Sequence, residues 1–225
     1  FMASKIALEH MTPVILLTDA FIGNGTSLWK LPKLADLPEI KPNFAQPGME
    51  GLNVTARNED TKARYWTIPG TEGFNQRNGG LEKDYNTGSI STDPENHQKM
   101  VDTRQAKVDY ISNVIPELVV EGDASADLLV IGWGTTHGHL MTAVNALNKK
   151  GKKVALANFN YINPLPKNTE EVIKRYKKVI VCELNSGQFA TYLRSKVPGE
   201  YLQYNKVQGQ PFTVSEIESH FETIL

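Results

Sequence analysis

The chain has 225 residues, of which 40% are hydrophobic, enough for a core of ordinary size in one large domain or in one domain with substantial annexes. With 24 basic against 25 acidic residues and a formal net charge of −1, it lacks the broad basic surface that duplex nucleic acid demands, and its single cysteine, Cys182, excludes an intrachain disulfide framework and a cysteine-rich zinc or iron–sulfur site. No apolar run approaches the ~20 residues of a membrane-spanning helix, and no signal-peptide order of charged, apolar and small residues occurs, so no membrane is implied and the cytoplasm is the expected location.

Residues 4–12 predict the end of a helix, with Ile6, Leu8 and Met11 set among Lys5, Glu9 and His10. Residues 13–19 then read as a buried strand, a continuous apolar run closed by Asp19. A lone parallel strand cannot hide both faces, so either it joins a sheet downstream or it belongs to a domain whose bulk lies elsewhere, and the start of the chain reads as a cut. Residues 23–96 resist regular assignment, because prolines at 32, 38, 42, 47 and 69 and glycines at 48, 51, 70, 73, 79 and 80 break helices and central strands. Trp29, Phe44, Trp66 and Phe74 recur along this stretch as apolar anchors, and residues 64–68 suggest one short strand. An arm of this length fits either a contact with another subunit or a wrap around its own domain.

At Asp93 the pattern changes. Asp93 is placed to cap a helix whose first position suits Pro94, and Met100, Val101, Val108, Ile111, Ile115 and Leu118 form one stripe of a long amphipathic connector. From there the strand, helix, strand order repeats. Strands are predicted at 127–134, 153–159, 178–183 and 201–204, with helices at 140–150, 170–176, 189–194 and 213–221, the last with Thr213 as cap and Glu216 three residues later. Such units specify an α/β domain with a parallel sheet covered by helices on both faces.

The residues that invite a chemical reading are few. Gly132-Trp133-Gly134-Thr135-Thr136-His137-Gly138 looks like a dinucleotide fingerprint, but its spacing is GxGxxxG and the next strand ends at Asn158-Phe159-Asn160, without an acid for ribose hydroxyls. A turn that needs glycine for packing is the preferred account. His10, His97, His137, His139 and His220 are scattered without metal-ligand spacing, and Cys182 sits late in an apolar strand as a buried thiol would. Glu183-Leu184-Asn185-Ser186-Gly187-Gln188 draws more interest, because α/β domains place ligands at the carboxyl ends of parallel strands. Lys149, Lys150, Lys152 and Lys153, with Lys174, Arg175, Lys177 and Lys178, form two basic runs that suit either helix-end compensation or a docking patch for an acidic partner.

Taken in order, several segments resemble one family. They are Glu9-His10-Met11-Thr12-Pro13 through Asp19, Pro69-Gly70, Gly79-Gly80-Leu81-Glu82, Thr87-Gly88, Asp93-Pro94-Glu95-Asn96-His97, Gly132-Trp133-Gly134-Thr135, Asn163-Pro164-Leu165-Pro166, Glu183 to Gln188, and Tyr204-Asn205-Lys206-Val207-Gln208-Gly209-Gln210-Pro211-Phe212. The series resembles the carboxy-terminal part of the alpha subunit of 2-oxoacid:ferredoxin oxidoreductases, in particular the 2-oxoglutarate (2-ketoglutarate) branch. The resemblance implies a complex that oxidatively decarboxylates 2-oxoglutarate with coenzyme A to succinyl-CoA and reduces ferredoxin; a pyruvate or branched-chain version, a transketolase-like enzyme of another class and a noncatalytic subunit-assembly domain stay open beside it. It further implies four regions: residues 1–25 as the last helix and strand of a pyrimidine-binding thiamine domain, 26–92 as an irregular arm, 93–121 as a connecting helix, and 122–225 as a three-layer domain resembling the carboxy-terminal domain of transketolase. Thiamine diphosphate, magnesium and iron–sulfur clusters are expected in the full complex and none on this chain, with a beta subunit, and gamma and delta subunits in some assemblies, as partners. No catalytic, cofactor-binding or metal residue carries over to a position here, and the chain alone is expected to be inactive.

Overall fold

Leu128–Trp133, the most apolar stretch of the chain, forms the central strand β2 of a five-stranded sheet in the computed structural model, which describes residues 1–70, 72, 75, 79–123 and 125–225. The described residues fall into two units, one of residues 1–16 and 27–114, the other of residues 17–26 and 115–225.

The sheet belongs to the second unit, in the order β1-β3-β2-β4-β5. β2 runs parallel to β3 (Val154–Phe159) on one side and to β4 (Lys178–Glu183) on the other, and β4 runs parallel to β5 (Leu202–Asn205). The edge strand β1 (Val120–Gly122) lies antiparallel on β3, which the sequence had left inside the connecting helix. Alternate residues divide the core in two, as the two-residue period of strands requires. Leu129, Ile131, Ala155, Ala157 and Val181 pack on α5 (Thr169–Lys174) and α6 (Gln188–Lys196). Leu128, Val130, Leu156, Ile180 and Cys182 pack on α4 (His137–Lys149) and α7 (Val214–Glu222). The predicted three-layer α/β arrangement is therefore present, with one antiparallel edge.

Of the predicted caps, Thr213 Oγ1 accepts from the Glu216 amide at 3.3 Å, but the Glu216 carboxylate turns to Lys206 Nζ at 2.7 Å, so no reciprocal box closes. Asn168 precedes α5 without capping it; its side chain instead accepts from the Leu118 amide at 2.8 Å and donates to the Leu118 carbonyl at 3.0 Å. The segment before β1 is thereby stitched to the α5 end of the unit.

In the first unit, α1 (Met2–His10) ends at Met11, whose φ is 43°. The predicted strand at 13–19 does not form: these residues carry no regular structure, with Ile15 82% and Leu16 75% exposed, and α2 (Ala20–Asn24) follows as part of the second unit. A strand is held by pairing on its edges, and no described segment offers that run a ladder. The arm is irregular but ordered by isolated bridges, Phe44 with Trp66 and Arg57 with Arg64, so residues 64–68 make single contacts rather than a strand. Phe74 lies outside the described residues. The connecting helix α3 (Pro94–Tyr110) begins where predicted, with the Asp93 carboxylate accepting from the Asn96 amide at 2.9 Å. It is shorter than predicted, passing at Ile111–Asn113 into a 3-10 turn, and Pro116 bars the helix from residue 115 onward.

Candidate functional site

The chain leaves β2 toward β3 on one side and leaves β4 toward β5 on the other, so the carboxyl ends of β2 and β4 flank a switch in the direction of winding. Open α/β sheets form their crevices at such points. Here a cavity of about 430 Å³ opens, walled by Trp133 and Gly134–Thr136 after β2, Leu184 and Asn185 after β4, and Lys206 with Gly209, Gln210 and Pro211 after β5. Residues 17–22, part of the same unit, complete it.

Two features built by local sequence hold this cleft in shape. After β2 the chain turns through Gly134–Thr136, and the Thr136 hydroxyl closes the turn by accepting from the Trp133 amide at 3.1 Å and donating to its carbonyl at 2.9 Å. Gly132 is needed for proximity: a Cβ there would lie 2.5 Å from Leu140 Cδ1 and 2.8 Å from Thr136 Oγ1. After β4, Glu183 is fully buried and its carboxylate accepts from the amides of Phe189 and Ala190, both at 2.9 Å, and from the Trp133 indole at 3.2 Å. The acid thus anchors the first turn of α6 and ties it to the end of β2. Gly187, at φ 93°, makes the turn between them; a Cβ would lie 2.2 Å from Gln203 Oε1.

The polar groups facing the cleft are committed to structure. Lys206 Nζ donates to Glu216 at 2.7 Å and to the Pro211 carbonyl at 2.9 Å. Asn185 Oδ1 accepts from the amides of Gly187 and Gln188 at 2.8 and 3.1 Å. Asp19 caps α2 by accepting from the Ile22 amide at 3.0 Å and takes the Thr135 hydroxyl at 2.5 Å; these bonds, Thr135's foremost, hold its carboxyl below the usual carboxylate range. His139 meets the Phe21 ring edge-on, 6.1 Å between centroids. What remains is an apolar slot with Leu17, Phe21, Ile22, Trp133 and Leu184 in its lining, suited to holding a molecule or a segment rather than to moving a proton.

The singled-out residues therefore separate cleanly. The glycine turn and the segment 183–188 meet at the cleft, whereas Cys182 lies on the α4/α7 face, its thiol pushed far up first by burial and then by Glu183. His137 faces Glu121 at 3.3 Å, His97 pairs with Glu82, His220 stacks on Tyr204, and His10 is buried beside Tyr110. In the basic runs, Lys150 bridges Glu218 and Glu222, Lys174 and Arg175 pair with Glu170 and Glu171, and Lys177 pairs with Asp127, so these charges compensate their own unit. Among the described residues no group of three or more His, Cys, Asp and Glu side chains is placed to hold a metal ion, and the only cysteine is sealed in the core. These side chains do not fit magnesium diphosphate or an iron–sulfur cluster, and no chemical step is assigned through either. The contribution of residues 17–22 to the cleft had no periodic signal in the sequence; the one available clue was Asp19 ahead of a short apolar run, an N-cap pattern.

Residues 126–217, almost the whole sheet-and-helix unit, match the family model for pyruvate:ferredoxin oxidoreductase core domain II. The 2-oxoglutarate oxidoreductase subunit KorA of Mycobacterium tuberculosis is 44% identical over 96% of this chain and 33% of its own length. Subunit alpha of 2-oxoacid:ferredoxin oxidoreductase 1 from Aeropyrum pernix is 27% identical over 81% of this chain and 29% of its own. In structure, the 2-oxoglutarate:ferredoxin oxidoreductase of Magnetococcus marinus, solved with 2-oxoglutarate, coenzyme A and succinyl-CoA bound, superimposes with a TM-score of 0.78, at 27% identity, covering 85% of this chain and 34% of that one. The fold of this unit is thus that of a core domain from ferredoxin-linked 2-oxoacid oxidoreductases. Along almost its whole length the chain is similar to their alpha subunits, and it spans about a third of the length of these relatives.

Proposed function

We propose that this chain is the carboxy-terminal part of a 2-oxoglutarate:ferredoxin oxidoreductase alpha subunit, acting in a cytoplasmic complex that converts 2-oxoglutarate and coenzyme A to succinyl-CoA and carbon dioxide. The electron pair released passes one electron at a time to ferredoxin. The observation that carries this reading is the 44% identity to a 2-oxoglutarate oxidoreductase subunit along 96% of the chain. Thiamine diphosphate, whose thiazolium accepts the charge left by departing carbon dioxide, and the iron–sulfur centres belong to the rest of the complex in this reading. The chain's own residues shape and support. The buried Glu183 and the Thr136 turn hold the strand ends, and the cleft they frame receives the apolar segment 17–22.

The partner chain, a beta subunit, is assigned to the irregular arm. Trp29 is 69% exposed, and Leu28, Leu31 and Leu34 beside it are as bare, a concentration of apolar surface that association with another chain would cover. The exposed run 14–17 fits the same account, as a strand of a pyrimidine-binding domain completed by other segments.

The test is purification of the complex containing this subunit and measurement of coenzyme A-dependent viologen reduction. Reduction with 2-oxoglutarate at a kcat/KM at least about tenfold above that with pyruvate or branched-chain 2-oxoacids is expected. Preference for pyruvate would reassign the substrate, and no 2-oxoacid-dependent reduction in an intact complex would leave the chain an assembly domain.

A further inference from the structure

A second cavity, of about 600 Å³, lies entirely within the unit of residues 1–16 and 27–114, and its walls are cationic. Three separate stretches converge there: the arm around residues 54–64 brings Arg57 and Arg64, the loop at 79–83 brings Lys83 and Glu82, and α3 brings His97 and Arg104. Among the described lining residues the basic side chains of Arg57, Arg64, Lys83 and Arg104 face one carboxylate, that of Glu82, and it is already shared, since His97 Nδ1 contacts it and Arg104 Nη1 donates to it at 3.1 Å.

The other two arginines are held by carbonyls rather than by acids. Arg57 Nη1 donates to the Lys62 carbonyl and Arg64 Nη1 to the Val54 carbonyl, both at 3.2 Å, which fixes each guanidinium by one corner and leaves its charge unpaired. Arg57 Nε is buried without an acceptor. Lys83 is only 8% exposed, and its ammonium has no hydrogen-bond or ion-pair partner among the described residues. Neighbouring Lys107 registers the crowding: its ammonium is pushed down to about 8, by burial first and then by Arg57, Arg64 and Arg104. Lys83 is buried and Arg57 and Arg64 are half-buried; a charge withdrawn from water without a counter-charge is costly, and a concave site that gathers such groups regains part of the cost when an anion enters.

We infer that this cavity binds a multiply charged oxyanion, a phosphate ester or a dicarboxylate, through charge-assisted hydrogen bonds from Arg57, Arg64, Lys83 and Arg104. Guanidinium forks match the paired oxygens of either group, and the ammonium of Lys83 adds a point charge. The glycines at 79 and 80 keep the loop beside Lys83 free of side-chain bulk, so the approach is not blocked from that wall. This site stands on its own geometry, apart from the reading of the cleft in the other unit.

Titration calorimetry of the 225-residue chain with inorganic phosphate and, separately, succinate, at one ionic strength held with sodium chloride, tests it. Saturable one-to-one binding of at least one is expected, weakened about tenfold or more by Lys83→Met and by Arg57→Gln, and unchanged by Lys152→Gln at an exposed position of the other unit. Tighter phosphate binding assigns the phosphate-ester class and tighter succinate binding the dicarboxylate class. Near-ultraviolet circular dichroism checks that each variant is folded, and Arg64→Gln serves should one of the others not be. No saturable heat with either anion, or equal affinity in the folded variants, overturns the site.

Discussion

Glu183 is a fully buried carboxylate whose three donors all come from structure: two amides of α6 and the indole of Trp133. Removing the acceptor would strand donors in a dry core, so Glu183→Ala should cost on the order of 2–4 kcal/mol in urea unfolding, whereas Glu183→Gln, which retains one oxygen but turns an amide NH2 toward donors, should cost about 1–3 kcal/mol. Equal and small losses in both variants would mean that the helix end finds its partners elsewhere. His10 makes a different statement. Its ring is buried with Nδ1 unpartnered, and burial first, with Lys107 and Lys5 adding repulsion, lowers its pKa below the ordinary 6.5 against a weaker pull from Glu9. A histidine that prefers to stay neutral when folded is protonated first in the unfolded chain. The stability it contributes is therefore complete above pH 6.5 and is lost as pH falls through the lower folded value. Comparing urea midpoints at pH 7.5 and about 5.5, the drop in the original chain should exceed the drop in His10→Leu; identical drops would show that other groups carry the acid sensitivity.

At the scale of elements, α2 is the least self-sufficient. It has five residues, none of them buried, and is fixed by Asp19, which caps it and reaches Thr135. Loss of that side chain in Asp19→Ala should cost about 1 kcal/mol locally, and hydrogen exchange should quicken at residues 20–24 while amides of β2 keep their protection. Uniform acceleration through the sheet would instead make α2 part of the core. The same contrast governs what could be read from sequence. Strands β2, β3 and β4 and helices α4, α6 and α7 were legible because each buries a face wide enough to impose its own period on the residues, as Leu140, Ala143, Val144 and Leu147 do along α4; α3, which buries Asn96 and Met100 and leaves Val101 of the predicted stripe exposed, was legible from its Asp93-Pro94 start. The run 13–19 misled, since apolar content alone cannot say whether a ladder partner exists. β1 was hidden for the opposite reason: three residues, ending in Gly122, are too short for alternation to register, and they pair only because β3 offers an open edge. At the site, Glu183 was visible as a strand-end acid, but its role depends on amides six and seven residues later folding back onto it, a consequence of the Gly187 turn and not of any motif.

For the whole molecule, the bare apolar surface of the arm separates two tryptophans that composition treats alike. Trp66 donates its indole to the Leu8 carbonyl at 2.7 Å and is tied by backbone pairing to Asn43 and Ala45, whereas Trp29 is largely exposed. In the complex of alpha and beta subunits, Trp29→Ala should weaken association by on the order of 1–4 kcal/mol with little change in melting temperature, and Trp66→Ala should do the reverse. Sedimentation and thermal melts, run side by side, check this, and unchanged association in Trp29→Ala would remove the arm from the interface. A last consequence follows from the way the sheet unit is assembled from two stretches of chain, 17–26 and 115–225. A ribosome delivers the first long before the second. Leu17, Phe21 and Ile22 must wait for the loop at 209–211, nearly two hundred codons on, before their slot can close. At ordinary rates of translation that wait is roughly 10–40 s, and for the first part of it, until Thr135 and His139 are made, the segment is held by nothing it will finally touch. During synthesis, aggregation is thus a hazard of residues 17–22, made well ahead of the sheet that finally covers them.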